Sequence, residues 1–325
     1  MGGGPSTPEL VIAAARAGAF AFLAAGYRSV QEMRAEIAAV RDATREPFGV
    51  NVFVPGSPAR DQPALARYLA TLEPDAAALG VRPGDPRWGD DRWRDKVDAL
   101  LADPPPLVGF TFGCPPPADV AALQRAGSAV AVTVTSAVEA ATAAAAGADL
   151  LCVQGDEAGA HRGGFDNPAT APAGTALLDL VAQVAAVTDL PQWAAGAVMT
   201  AERAGAARAA GALAVQCGTA FLRCAESGAH PVHKAALADP RYDATTVTRA
   251  FSGRPARGLV NGFVGAHPDA PAAYPEINAA TRPLRTAAAA AGDTERMSLW
   301  AGTGYRQALA VPVREVVALL DPDRH

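Results

Sequence analysis

The sequence predicts an α/β fold built on a parallel sheet, either a closed barrel or a doubly wound sheet. Two observations carry this expectation. Short apolar runs alternate with alanine-rich segments of helical period from Phe20 to Ala210, the pattern of repeated βαβ units. One of those runs, Leu150 to Gln154, opens directly into a glycine-rich loop carrying Asp156, Glu157 and His161, which is how such scaffolds present a working site.

Taken in order, Ser6 or Thr7 followed by Pro8-Glu9-Leu10 reads as a helix N-cap with proline in the first turn, and the helix ends near Gly18. Strands are expected at Phe20–Ala25, Gly49–Val54, Leu107–Phe112, Ala129–Thr135, Leu150–Gln154, Gln192–Ala195 and Ala214–Gln216. Helices are expected between them at Val30–Thr44, Ala118–Ala126, Val138–Ala146, Ala176–Val187 and Ala201–Ala210, several closed by glycine or followed by proline. Seven strands sit awkwardly with a barrel, because eight-strand closure is what removes the sheet edges. After Thr219 the alternation ceases. The expected division is a β/α barrel over 1–225, a smaller and mostly helical insertion over its mouth at 226–292, and a returning segment at 293–325.

Composition excludes several functions. Half of the 325 residues are apolar, 19% are charged and the formal net charge is -5, so no basic field exists to hold nucleic acid or an anionic membrane. Small molecules are the expected partners. The four cysteines form no CxxC pair and no metal-ligand spacing with the histidines, which fits a reduced, cytoplasmic setting and no metal site. No apolar run approaches the roughly 20 residues needed to span a bilayer. No GxGxxG with a following acidic residue, no GxxxxGK[ST] and no GxSxG is present.

Parallel β/α folds bind ligands where strands end, which gives weight to Asn51, to Gln154 and its loop, to Gly196, and to Gln216-Cys217-Gly218-Thr219. Gly196 and Gly218 each lie between a strand and a helix start, where bare backbone N–H groups and the helix dipole favour a phosphate. Thr219 adds a hydroxyl. His161 follows a strand inside a glycine-rich loop, and a histidine can change its charge near neutral pH, so it is the candidate general base. Asp156 and Glu157 read as structural groups, and Arg162 as a partner for a phosphate or a carboxylate. Trp300, beside Gly302 and Gly304, is the foremost aromatic candidate for the substrate pocket, ahead of Tyr242, Tyr274 and Tyr305.

The stretch Val153 to Phe165, VQGDEAGAHRGGF, resembles the Q-G-x-E-A-G-G-H-x-G signature of the nitronate monooxygenases, formerly grouped as 2-nitropropane dioxygenases, which are FMN-dependent TIM-barrel enzymes. The likeness extends through MGGGPSTPELV, FGVNVFV, GFTFGCP, QCGTAFL, GRPARGLVN and SLWAGTG, and so covers nearly the whole chain. It implies a TIM (β/α)8-type barrel whose first strand is missing from this numbering. In relatives an apolar strand precedes the segment matching Met1, so a start upstream is expected, with weak flavin retention and poor solubility if that strand is lost.

Carried over by position, the resemblance implies that Asn51, Gln154, Gly159, Gly196, Gln216, Cys217, Gly218 and Thr219 bind FMN. The phosphate would lie near Gly196, Gly218 and Thr219, and the Met1 backbone would touch the flavin. His161 matches the catalytic base, which takes the α-proton of a neutral nitroalkane. Two positions depart from the pattern: Ala160 stands where the family often has glycine, and Thr111, a second pocket candidate, where many relatives have histidine. The implied activity is oxidation of alkyl nitronates, and of nitroalkanes, by O2 to a carbonyl compound and nitrite, in a protein that can pair as a homodimer. The same architecture also hosts FMN-dependent NAD(P)H:quinone and enoyl-acyl carrier protein reductases, the alternative expectation, and a flavin-free binding or scaffold barrel is a third.

Overall fold

The computed structural model describes residues 4–170, 173–321 and 323. Its strands are β1 (Phe22–Ala24), β2 (Gly49–Phe53), β3 (Leu107–Thr111), β4 (Ala129–Val134), β5 (Leu150–Gln154), β6 (Ala160–His161), β7 (Gln192–Ala195), β8 (Ala214–Val215), β9 (Thr245–Thr248) and β10 (Ala256–Leu259). All seven expected strands appear and form one parallel sheet in the order β1-β2-β3-β4-β5-β7-β8. The remaining three form a small antiparallel sheet, β6-β10-β9.

The large sheet is curled rather than flat. Five strand spacings separate β1 from β7, which would place them roughly 24 Å apart in a flat sheet. Instead the rings of Phe22 and Trp193 lie 5.9 Å apart, with Phe20 5.4 Å from Trp193. These rings fill one end of the interior. The filling requires bare backbone opposite them, since a Cβ on Gly49 would come within 2.5 Å of the Phe22 ring. The molecule is therefore a TIM-type barrel sheet, as the sequence predicts.

Period-2 alternation sorts the strand residues between two faces. Val50, Val52, Val108, Phe110, Val130, Val132, Leu151 and Val153 are fully buried in one cluster with Ile37, Leu100, Leu123, Leu180 and Val184 of the surrounding helices. Their neighbours Asn51, Thr111, Thr133 and Gln154 are only partly buried. The Thr111 hydroxyl donates to Asn51 Oδ1 at 3.0 Å and lies 3.2 Å from that of Thr133. A polar layer thus lines the sheet where its strands end.

The helices are α1 (Pro8–Arg16), α2 (Val30–Ala43), α3 (Gln62–Thr71), α4 (Glu73–Ala78), α5 (Trp93–Ala102), α6 (Pro117–Ala126), α7 (Ala137–Ala145), α8 (Leu177–Ala185), α9 (Ala201–Ala209), α10 (Pro231–Ala236), α11 (Gly262–Ala266), α12 (Glu276–Ala291) and α13 (Val313–Leu320). Thr7 is the first N-cap, accepting from Leu10 N at 3.3 Å with Pro8 at N1. Ser29 and Glu32 close a reciprocal capping box on α2. Helix α13 packs on α1 through Leu10, Ala14, Val313, Val316 and Leu320. Among the described residues no helix is long and apolar enough to cross a membrane.

A second layer of elements is built from two distant parts of the chain. Residues 226–292 contribute α10, α11 and α12, together with the β9–β10 hairpin. The α3–α4 segment, where no regular element is expected from the sequence, joins them. Leu65, Tyr68, Leu72 and Ala76 share a core with Phe251, Phe263, Ile277 and Leu284. The Tyr68 hydroxyl donates to Ala250 O, and the Thr281 hydroxyl to Phe251 O.

Candidate active site

The loop behind β5 is held by Gln154. Its Oε1 accepts from Gly163 N at 2.7 Å and its Nε2 donates to His161 O at 3.0 Å, so one amide ties both sides of the loop to the strand end. The neighbouring acids are structural. Asp156 pairs with Arg162 and, at 3.1 Å, with Arg257, while Glu157 accepts from Leu177 N at 2.9 Å and pairs with Arg203 at 3.1 Å. Arg162 therefore spends its charge on a carboxylate. Within this braced loop Ala160 adopts φ +63°, a left-handed conformation that a Cβ disfavours.

Strand β6 then pairs with β10, opposing His161 to Ala256. The imidazole enters a box of rings, with centroids 5.5 Å from Trp300, 5.7 Å from Phe112 and 5.8 Å from Tyr274. Its Nε2 lies 2.8 Å from Ser252 Oγ. Loss of hydration, aided by the positive charges of Arg254 and Arg285, pushes the His161 pKa down to about 3, so the ring is neutral at ordinary pH.

Arg254 is almost fully buried, with its guanidinium carbon 4.2 Å from the Phe112 ring centroid. It donates to the carbonyls of Gly164 and Asp166, not to a carboxylate. Across the box the Tyr27 and Tyr274 hydroxyls lie 2.8 Å apart, and burial pushes Tyr27 up to about 12 and Tyr274 well above the usual phenol range. Both phenols stay protonated. Arg285 donates to Asn278 at 2.9 Å and keeps its Nε buried without a partner. The site thus presents cations and neutral donors, the surroundings that suit an anion.

The structure brings most of the expected site residues to this end of the sheet. Asn51 and Thr111 share the polar layer, and Trp300 lines the histidine box while its carbonyl accepts from His233. Gly159 is bare because a Cβ there would sit 2.4 Å from Gly302 N, and Thr219 Oγ1 accepts from the same Gly302 N–H at 3.0 Å. Gly196 has φ +147° and the next residue, Ala197, φ +47°, a tight turn directly after β7. Gln216 Oε1 is buried with no partner. Cys217, whose thiol burial pushes up to about 12, and Gly218 follow before the short turn Thr219–Phe221. Met1 lies outside the described residues.

Tyr27, Ser252 and Arg285 carry no signal in the sequence, while Phe112 lies within GFTFGCP and Arg254 within GRPAR without either standing out as a site residue. Tyr242 and Tyr305, expected as alternative lining, belong elsewhere: the Tyr305 hydroxyl donates to Tyr242 O in a separate cluster. His233 is buried outside this box, and its pKa is pushed down to about 4 by loss of hydration.

The chain as a whole is similar to known proteins. The nitronate monooxygenase family profile matches residues 1–323. A nitronate monooxygenase of Pseudomonas aeruginosa is 39% identical over 98% of this chain and 92% of its own length. Among solved structures, a nitroalkane oxidase from Streptomyces ansochromogenes superposes with a TM-score of 0.95 at 46% identity, covering 98% of this chain and 92% of that one. FabK from Thermotoga maritima reaches 0.73 at 25% identity over 98% of this chain and 90% of its own. The chain belongs to the nitronate monooxygenase family and is an oxidoreductase.

Proposed function

We propose that the protein uses FMN and O2 to oxidise alkyl nitronates to a carbonyl compound and nitrite, taking nitroalkanes when His161 removes their α-proton. The observation that carries this reading is the charge around His161: its neutral imidazole packs against Tyr274 and Phe112, Arg254 lies over those same two rings, and Arg285 adds a second positive charge felt at the imidazole. A nitronate is a small anion that such a site attracts. A base held at so low a pKa is poorly matched to a neutral nitroalkane, since proton transfer is most efficient when base and operating pH agree. An anion seated beside the ring raises the imidazole pKa, so the mismatch is smallest with the nitronate bound.

The residues present fit FMN. Gln216 Oε1 is a buried acceptor in want of a donor, and the Gly196–Ala197 turn and the Gly218-Thr219 pair lie at successive strand ends, where phosphate sites of this architecture form. Gln216 would hold the ring system, and Gly196, Gly218 and Thr219 the phosphate. When bound, FMN supplies electron acceptance and the reaction with O2. The chain's own part is to seat the anion between Arg254 and Arg285, to exclude water with Phe112, Tyr274 and Trp300, and to manage the α-proton at His161.

Oxygen uptake by FMN-loaded protein on adding propionate 3-nitronate, with no nicotinamide present, tests this. Rapid uptake with nitrite release is expected. A flavin-loaded protein that takes up no oxygen, yet oxidises NAD(P)H in the presence of a quinone, would overturn it in favour of a reductase.

A further inference from the structure

We infer that Ser252 is a positioning residue which holds the His161 proton on Nε2, leaving Nδ1 as the atom that receives the substrate proton. This rests on the reading of His161 as the base. The protons around one buried hydroxyl decide which tautomer forms. Ser252 is 1% exposed and its Oγ has three neighbours: Arg254 N at 3.3 Å, Arg254 O at 3.1 Å and His161 Nε2 at 2.8 Å. Arg254 N can only donate and Arg254 O can only accept, so the Ser252 proton has two possible destinations.

If the proton goes to Arg254 O, then His161 Nε2–H donates to Ser252 Oγ. Every group is then satisfied: the hydroxyl donates once and accepts twice, and the carbonyl of a residue only 3% exposed keeps its donor. If the proton turns to Nε2 instead, the hydroxyl loses an accepted bond and that carbonyl is stranded in a buried place, a substantial penalty. The first arrangement wins. The turn carrying Ser252 is itself fixed, because Asn167 donates to Gly253 O at 2.8 Å and the Arg254 guanidinium holds the Gly164 and Asp166 carbonyls.

Nδ1 has no hydrogen-bond partner among the described residues, and it is not among the sealed, unpaired polar atoms. It is therefore the ring nitrogen left accessible in the box that Phe112, Tyr274 and Trp300 form around the imidazole. In the step assigned to it, the α C–H bond of a nitroalkane breaks, its electron pair remains on the substrate as the nitronate, and the proton forms Nδ1–H. The imidazolium then carries one proton on each nitrogen, with Ser252 still accepting from Nε2.

The test is long-range 1H–15N correlation NMR on the purified full chain labelled at histidine, with His161→Gln used to assign the His161 signals. At pH 7.5 the expected pattern is a protonated Nε2 and a bare Nδ1. A protonated Nδ1 overturns the inference, and because no substrate is involved this outcome is independent of whether nitronates prove to be the substrate. In Ser252→Ala the preference for Nε2–H should be lost, and kcat/KM for a nitroalkane should fall by roughly tenfold or more, while kcat/KM for the corresponding nitronate, whose α-proton is already gone, changes less than about twofold. Unchanged tautomer and unchanged nitroalkane turnover in a folded Ser252→Ala would equally overturn it.

Discussion

The hydroxyls of Tyr27 and Tyr274 meet at 2.8 Å although 247 positions separate them in the chain. Tyr27 is placed there by its backbone. It has φ +64°, and its N–H donates to both oxygens of Asp91, at 3.2 and 3.3 Å. Asp91 is in turn paired at 2.7 Å with Lys96, a fully buried lysine whose other contact is Ala25 O at 2.9 Å. One of only two lysines in the chain thus anchors a wall of the site through a carboxylate.

Asp91→Ala should therefore cost about 3 kcal/mol or more in urea unfolding, because it strands a buried ammonium. Adding Lys96→Met to that variant should restore most of the loss, since the uncompensated charge is then gone. A double variant no more stable than Asp91→Ala alone would show that the Tyr27 backbone contact, and not the lysine, sets the cost.

Ala160→Gly is expected to stabilise the protein by about 1 kcal/mol, the penalty a Cβ pays in the left-handed region. Thermal unfolding reads this directly. A fall in the midpoint would mean that the strain is offset by packing of the methyl group.

His161→Ala should retain FMN and lose nitroalkane turnover by about 10²- to 10⁴-fold, while nitronate turnover survives. Steady-state oxygen uptake with a matched nitroalkane and nitronate makes the comparison. Near-wild-type turnover of the nitroalkane would remove His161 from proton transfer.

Stability should fall on mild acidification. His161 and His233 titrate near 3 and 4 in the folded protein against 6.5 unfolded, so below pH 6.5 the unfolded chain binds protons that the native state refuses. Their contribution is fully present above pH 6.5 and is lost as pH drops toward 4, at up to about 1.4 kcal/mol per pH unit for each histidine. His161→Gln should make the unfolding free energy less steep over that window. An unchanged slope would show that the ring is hydrated and titrates normally.

The seven strands, the Thr7 cap, the barrel class and the position of His161 behind β5 were legible in the sequence, because each rests on local signals: an apolar run, a cap residue, a glycine-rich loop after a strand. The family signature added the residues at the strand ends. The short α3 and α4 were not legible, since their apolar faces take meaning only against Phe251, Ile277 and Leu284, far along the chain. Nor was Ser252, which looks like any serine in a turn until the β6–β10 pairing brings it to His161 across 91 positions. Composition and periodicity decided which scaffold forms and where its ligand end lies, since burying apolar surface is a property of each segment. Which proton the histidine keeps, which charges surround it and which phenols face it were decided by the tertiary structure alone, because hydrogen bonds and desolvation depend on partners that only the folded chain brings together.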